Sequence, residues 1–360
     1  MTSKSVLNLV QKIMPNFRLS RQKSLAAATS GCLRNPDGRL TDMARGMESR
    51  VSLRDRLKRI SRFLGNTNVE VEKLSFDILQ WLIRRQGPLL PVVVLMDWTR
   101  EHGENVLMLS IKWGQRSIPF YWKALRDGCL AGKLVAEETY ALDLLRRMVP
   151  DRAVIVIADR GFERKEFFHA LIKNNLDFIV RAKGSTNVQQ ADQWYSLSEI
   201  RLIGERVKDL GNVVFSKVAS LGLRVVGKKI KVNGVWSHWY LTTSLQQERA
   251  EEIVKYYERR MGIEATFKDL KTTLGWGQQW LIKDSRRLER YLLILVMSLI
   301  VAMITAERKI AATNRFKVSL EKAWRGTVST SFVQLGLWLI QRMPPSFIMI
   351  HPRKPLSYAH

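Results

Sequence analysis

Three acidic residues and one stripe of polar side chains are where this sequence could carry out chemistry. Asp97 closes the apolar, β-branched run VVVLMDW at residues 92–98, and Asp159 directly follows another such run, AVIVIA at 153–158. If the two runs are strands near the middle of one sheet, both carboxylates emerge at strand C-terminal ends, where open sheets present ligand sites. Paired carboxylates repel and stay ionised only beside something positive, which for hard oxygen ligands suggests Mg2+ or Mn2+. Either aspartate alone reads equally well as a capping or turn residue, since Asp159-Arg160-Gly161 opens a loop in any case.

The third acid lies in KYYERRMGIEATFKDLKTTLGW. Tyr257, Arg260, Glu264 and Lys271 are spaced by three, four and seven residues, and at about 100° per residue they share roughly a 60° sector of one helical face. Tyr256, Ile263, Phe267, Leu270 and Leu274 form an apolar stripe beside them. Such a helix would hold Glu264 at the edge of the core, with a phenol, a guanidinium and an ammonium beside it for phosphate oxygens. Ion pairs on a solvated helix face are the plainer alternative.

The elements that would position these residues follow in a readable order. A helix at 71–85 ends at Gly87-Pro88, and residues 92–98, 106–113 and 116–122 read as three hairpin-linked strands. A helix at 135–148, a strand at 153–158, a helix at 164–174 and a strand at 177–181 come next. The order βββαβαβ predicts an α/β fold: an RNase H-like mixed sheet with flanking helices, the first three strands antiparallel and later ones added by helical crossovers. Residues 184–246 alternate like β structure, with strands at 213–217, 223–226, 229–232 and 236–242 broken by Gly211, Gly222, Gly227 and Gly234, which predicts an inserted β subdomain. A single helix from 248 to about 274 then stops at Gly275.

Charge points to the partner. Among 360 residues, 59 Lys+Arg against 33 Asp+Glu give +26, and counterion release makes such a surface bind nucleic acid with a steep salt dependence. With 46% apolar and 26% charged residues the chain is globular rather than disordered. Residues 1–65 hold 14 Lys/Arg against four acids, in short amphipathic segments divided by the turn Asn35-Pro36-Asp37-Gly38. The expected division is a helical basic DNA-binding region (1–68), the first part of the catalytic core (69–183), the β insertion (184–246), the second part with the Glu264 helix (247–310) and a C-terminal helical region (311–360).

Cys32 and Cys129 lie in no metal-ligand spacing, which fits reduced thiols and no zinc site. The N-terminus lacks the charged-start, apolar-middle, small-residue-cleavage order of a signal peptide, so export is not expected and a cytoplasmic protein is. Residues 291–306 are apolar but charged at both flanks, and a hydrocarbon core needs about 20 such residues. A helix buried against the sheet, with no membrane partner, is the expectation.

The spacing Tyr-x2-Arg-x3-Glu-x6-Lys at 257, 260, 264 and 271 resembles the YREK signature of IS4-family transposases, matched in every element. The likeness covers about residues 90–310: Asp97 and Asp159 stand where the family's first two DDE carboxylates stand, and Asp159-Arg160-Gly161-Phe162 is similar to its second-aspartate motif. The resemblance implies cut-and-paste DNA transposition. Asp97, Asp159 and Glu264 would hold two Mg2+ ions, for which Mn2+ can substitute, with Asp97 bridging. Water would cut the transposon end, and the freed 3′-OH would attack target DNA. Arg181, in Phe178-Ile179-Val180-Arg181, resembles an arginine that approaches DNA. Trp239, in His238-Trp239-Tyr240-Leu241-Thr242, resembles a tryptophan that receives a flipped base, with Trp236 the alternative and sheet packing the plainer reading. Tyr257, Arg260 and Lys271 would contact DNA phosphates. Double-stranded DNA, as terminal inverted repeats and target, is the implied partner, and synapsis of two ends implies a homodimer. The rival readings are an RNase H-like nuclease or domesticated transposase that cuts or binds without strand transfer, a non-catalytic nucleic-acid-binding repressor, and a membrane-associated protein.

Overall fold

The computed structural model describes residues 2–312 and 331–342, except 88, 89, 131, 205, 218, 219, 233, 280, 281 and 283. Four helices come first: α1 (Ser3–Ile13), α2 (Leu19–Arg34), α3 (Leu40–Gly46) and α4 (Leu53–Gly65), followed by α5 (Val71–Gln86). The N-caps of α1 and α4 are Thr2 and Ser52, whose side chains accept from the Ser5 and Asp55 amides, satisfying donors that an α-helix leaves open. On α4, Ile60, Phe63 and Leu64 are buried while Arg54, Lys58 and Arg62 face solvent.

Next comes an antiparallel meander of β1 (Val92–Glu101), β2 (Glu104–Trp113) and β3 (Arg116–Arg126). A single turn, α6 (Asp127–Leu130), and the crossover helix α7 (Leu134–Met148) lead to β4 (Val154–Ala158). A second crossover, α8 (Lys165–Lys173), leads to β5 (Asp177–Ala182). β4 pairs parallel with β1, and β5 parallel with β4. All five residues of β4 are buried, as expected of a strand covered on both faces. This is the RNase H-like arrangement that the order βββαβαβ predicts.

The remaining strands are β6 (Asn187–Gln190), β7 (Gln193–Ser196), β8 (Val207–Phe215), β9 (Leu221–Val232) and β10 (Val235–Thr243). They continue the same sheet, because β10 pairs antiparallel with β5, giving ten strands in the order β3-β2-β1-β4-β5-β10-β9-β8-β6-β7. Gly227 does not interrupt a strand as expected. It lies within β9, paired to Lys208 and Tyr240, and the space a Cβ would need there is taken by the Leu202 side chain, 2.8 Å away.

Sheet pairing aligns Asp97, Met108 and Trp122 in one row across β1, β2 and β3, and Trp98, Leu107 and Lys123 in the next. Successive rows face opposite sides of a sheet. On the Trp98 side lies α7, whose Glu138 accepts from the Trp98 indole. On the Asp97 side lie α10 (Met261–Lys268), which follows α9 (Ala250–Glu258), and α11 (Ser285–Ala312). Trp122 donates its indole N–H to the Glu289 carbonyl of α11.

The single helix expected over 248–274 is therefore three pieces: α9, α10 and a π-helical turn at Asp269–Thr273. Its α10 piece is pinned to the edge strand. Thr266 accepts from the Ser117 amide at 2.9 Å and donates to the Ser117 carbonyl at 2.8 Å, while Arg116 pairs with buried Asp269 at 2.6 Å. After the π turn, Gly275 takes φ +75 and lies against Gly38, itself at φ +76, so closely that a Cβ on either would sit about 2 Å from the other chain segment. Only glycine fits both demands, and the contact ties the N-terminal turn to the end of the Glu264 segment.

The apolar run falls within Ser285–Arg308, long and apolar enough by composition to cross a membrane, yet 94% of its apolar window is buried inside the protein. Its flanking Arg290 is also buried, donating to the carbonyls of Leu64 and Val69. Of the C-terminal region expected to be helical, the described part is the helix Phe332–Arg342, packed on α11. Residues 313–330 and 343–360 lie outside the described residues.

Candidate active site

Two of the three acids are placed by strand register. β1 and β4 run parallel with Met96 opposite Ala158 as the last pair, so Asp97 and Asp159 follow side by side on strands about 4.8 Å apart. β1 does not end at Asp97 as the sequence suggested. It runs on to Glu101 as one arm of the β1–β2 hairpin, and only its pairing with β4 stops there. Asp97 accepts from the Trp98 amide at 2.8 Å, and Asp159 accepts from the Gly161 amide at 2.6 Å, opening a short 3-10 turn at Arg160–Phe162. The turn reading of Asp159 is thus correct and compatible with a functional one.

Glu264 arrives from α10. The guanidinium of Arg260 bridges it to the strand pair: Nη1 donates to Asp97 Oδ2 at 2.9 Å and Nη2 donates to Glu264 Oε1. Asp97 and Glu264 are therefore separated by the width of one guanidinium. Arg260 is largely buried, its side chain 11% exposed, whereas the Glu264 side chain is 42% exposed. Burial pushes the Asp97 carboxyl up to about 7, Arg260 opposes the shift, and the nearby charges of Asp159 and Glu264 add to it.

Tyr257 sits beside Arg260, 2% exposed, and its hydroxyl has no hydrogen-bond partner. Burial raises this phenol above its ordinary value while Arg260 and Arg181 oppose the shift. Arg181 donates to Ser237 Oγ and to the His238 carbonyl, and its buried Nε has no partner. These orphaned donors beside the acids fit a polar ligand that would complete them.

Lys271 is placed elsewhere, and Trp239 touches the site from within the core. Lys271 donates to the Arg100 carbonyl at 2.7 Å and pairs with Glu101 at 3.4 Å, three to four residues along β1 from Asp97 and so about 10 Å away. The π turn that contains Lys271 breaks the 100° periodicity which had aligned it with Glu264. Trp239 is buried, edge-on to Tyr257 with ring centroids 4.8 Å apart, so it packs within the protein. Trp236 is 47% exposed near the β9–β10 turn, with Lys229 and Lys231 near its ring.

Sequence reasoning missed Glu138. It is 2% exposed, accepts from Trp98 Nε1 at 2.8 Å and from Arg164 Nη2, and burial raises its carboxyl above the ordinary value against both partners. The signal was present: Glu138 falls in step with Ala141, Leu142, Leu145 and Met148, an acid on the apolar stripe of its helix.

An RNase H-like sheet carries Asp97 and Asp159 on adjacent strands with Glu264 linked to Asp97 through Arg260, in a chain of net charge +26. The family model described as transposase DDE domain matches residues 130–301, a stretch that includes Asp159 and Glu264 and begins after Asp97. No curated protein matches the chain. A cryo-EM structure of a piggyBac transposase synaptic complex with hairpin DNA is similar over 94% of this chain and 76% of that one, at 14% identity and a TM-score of 0.45. Residues 130–301 are thus similar to a transposase DDE domain, the domain of an enzyme that acts on DNA.

DDE transposase domains generally use divalent metal ions. The donor chemistry here fits one, since Asp97, Asp159 and Glu264 offer hard carboxylate oxygens. Among the described residues, no three His, Cys, Asp or Glu side chains converge closely enough to hold one ion. Arg260 supplies the positive charge between Asp97 and Glu264 instead.

Proposed function

We propose that this protein is an IS4-family DDE transposase that binds transposon ends, cuts the DNA backbone there and joins the freed 3′-OH to target DNA. The observation carrying the proposal is the placement of Asp97 and Asp159 at one level of adjacent parallel strands, with Glu264 tethered to the same site through Arg260. In this reading Asp97, Asp159 and Glu264 hold two Mg2+ ions. Bound there, the metals would lower the pKa of water to make a nucleophile near neutral pH and offset charge on the leaving oxygen.

The chain's own groups supply position. Asp97 and Asp159 are fixed by strand pairing, and Glu264 is exposed enough to leave Arg260 and turn toward them. Arg260, released, is placed to meet a phosphate oxygen with the planar fork that suits it. Tyr257 and Arg181, each with an unpartnered polar atom, would hold the next phosphate of the same strand. The arginines and lysines of the N-terminal helices would grip flanking duplex, and two copies would bring two ends together.

The test uses a supercoiled plasmid bearing the DNA that flanks the coding region in its source genome. Glu264→Gln should bind those ends as the parent does and lose Mg2+-dependent nicking by at least about a thousandfold. Nicking at the parent's rate would overturn the assignment.

A further inference from the structure

We propose that Glu138 is a positioning residue that ties together the two strand ends carrying Asp97 and Asp159. The assignment rests on reading those aspartates as the cleavage site. The backbone ladder between β1 and β4 ends at Met96 and Ala158. One residue later, where the two carboxylates stand, no β1–β4 pairing holds the strands together.

A side-chain bridge from α7 begins where the ladder stops. Glu138 Oε1 accepts from the indole of Trp98, the residue after Asp97, at 2.8 Å. The Trp98 amide donates to Asp97 Oδ1 at 2.8 Å. Glu138 Oε2 accepts from Arg164 Nη2, and Arg164 Nη1 donates to the carbonyl of Gly161. The Gly161 amide closes the circuit on Asp159 Oδ1 at 2.6 Å. The bridge lies on the Trp98 side of the sheet, so it constrains both aspartates without occupying the face where DNA would approach.

The physical cost supports the role. A carboxylate 2% exposed on the apolar stripe of a helix is a poor source of stability, because desolvation offsets most of what its ion pair contributes. A leucine at 138 would fill a helix–sheet contact with less penalty, but it could not link Trp98 to Arg164. What the carboxylate adds is direction: one oxygen for each strand end, in a fixed geometry. Groups that orient metal-ligating side chains in this way typically change metal affinity or activity about 10- to 100-fold when removed.

The experiment compares Glu138→Gln, Trp98→Phe and the double variant in the full chain. Three quantities are measured: Mg2+-dependent cleavage of the end-bearing plasmid, end affinity, and the rise in melting temperature on adding Mg2+. Glu138→Gln should cut kcat about 10- to 100-fold, raise the Mg2+ concentration for half-maximal cleavage, shrink the Mg2+-induced melting shift and leave end affinity unchanged. Trp98→Phe, which removes only the indole N–H, should move the same quantities less. The double variant should be no worse than Glu138→Gln alone, since both break one bridge. Should Glu138→Gln melt early, Trp98→Phe carries the test. A parent-like kcat, Mg2+ requirement and melting shift in both single variants would overturn the bridge. Parent protein that does not cleave at all would instead overturn the transposase reading, and the melting shift would still report on the bridge.

Discussion

The aspartate pair and the glutamate are held by different physics. Asp97 and Asp159 ride on neighbouring parallel strands of a buried sheet, where register alone decides that they meet. Glu264 rides on a helix made of separate pieces and pinned to the sheet at its far side, and its side chain is 42% exposed. One part of the site is set when the sheet forms, while the other can still move. On the proposed reading, a centre that accepts metal and DNA in turn would use both properties: strands that fix two ligands, and a helix whose third ligand would exchange one cation, Arg260, for another.

The two tryptophans near this site repeat the contrast, and replacing them separates its halves. Trp239→Ala removes a buried ring packed on Tyr257 and should cost about 3–5 kcal/mol, seen as a large fall in melting temperature. Trp236→Ala removes an exposed ring flanked by lysines and should leave melting unchanged while weakening end binding about tenfold. A reversed outcome, stability lost at 236 and binding alone lost at 239, would assign the DNA-facing role to Trp239.

A smaller effect tests how α10 is held. Thr266→Val keeps shape but leaves the Ser117 amide and carbonyl without the bonds they make to the threonine hydroxyl. It should destabilise by about 1–3 kcal/mol and slow cleavage, while Mg2+ affinity at the aspartate pair stays close to the parent's. Equal loss at both would mean that strands and helix act as one rigid unit.

Much of this contrast could be read from residue order. The apolar, β-branched runs at 92–98 and 153–158 marked two strands near the middle of a sheet with Asp97 and Asp159 at their C-terminal ends, because parallel strands buried on both faces are apolar throughout. That the two strands are neighbours came from their pairing. Arg260 and Glu264 share a face because four residues separate them, and that much holds across the helix break. Three features could not be read this way. Lys271 left the stripe because a π turn adds residues to a helix without changing its composition. Gly227 looked like a strand break, but it is the place where Leu202 packs onto β9. Trp236 and Trp239, three residues apart on one strand, point to opposite faces, and which face is buried depends on α9 and Tyr257 arriving from far along the chain. Glu138 was legible as an acid on an apolar stripe, but its partners, Trp98 and Arg164, are brought to it only by the crossover.

The most direct test of the central claim is to locate a metal. Crystals of the protein soaked in Mn2+ should show anomalous density at coordination distance from both Asp97 and Asp159, with Arg260 no longer bonded to Asp97 and Glu264 turned toward the ion. Saturating Mn2+ with no density at the aspartate pair, and Arg260 still bridging Asp97 to Glu264, would contradict it.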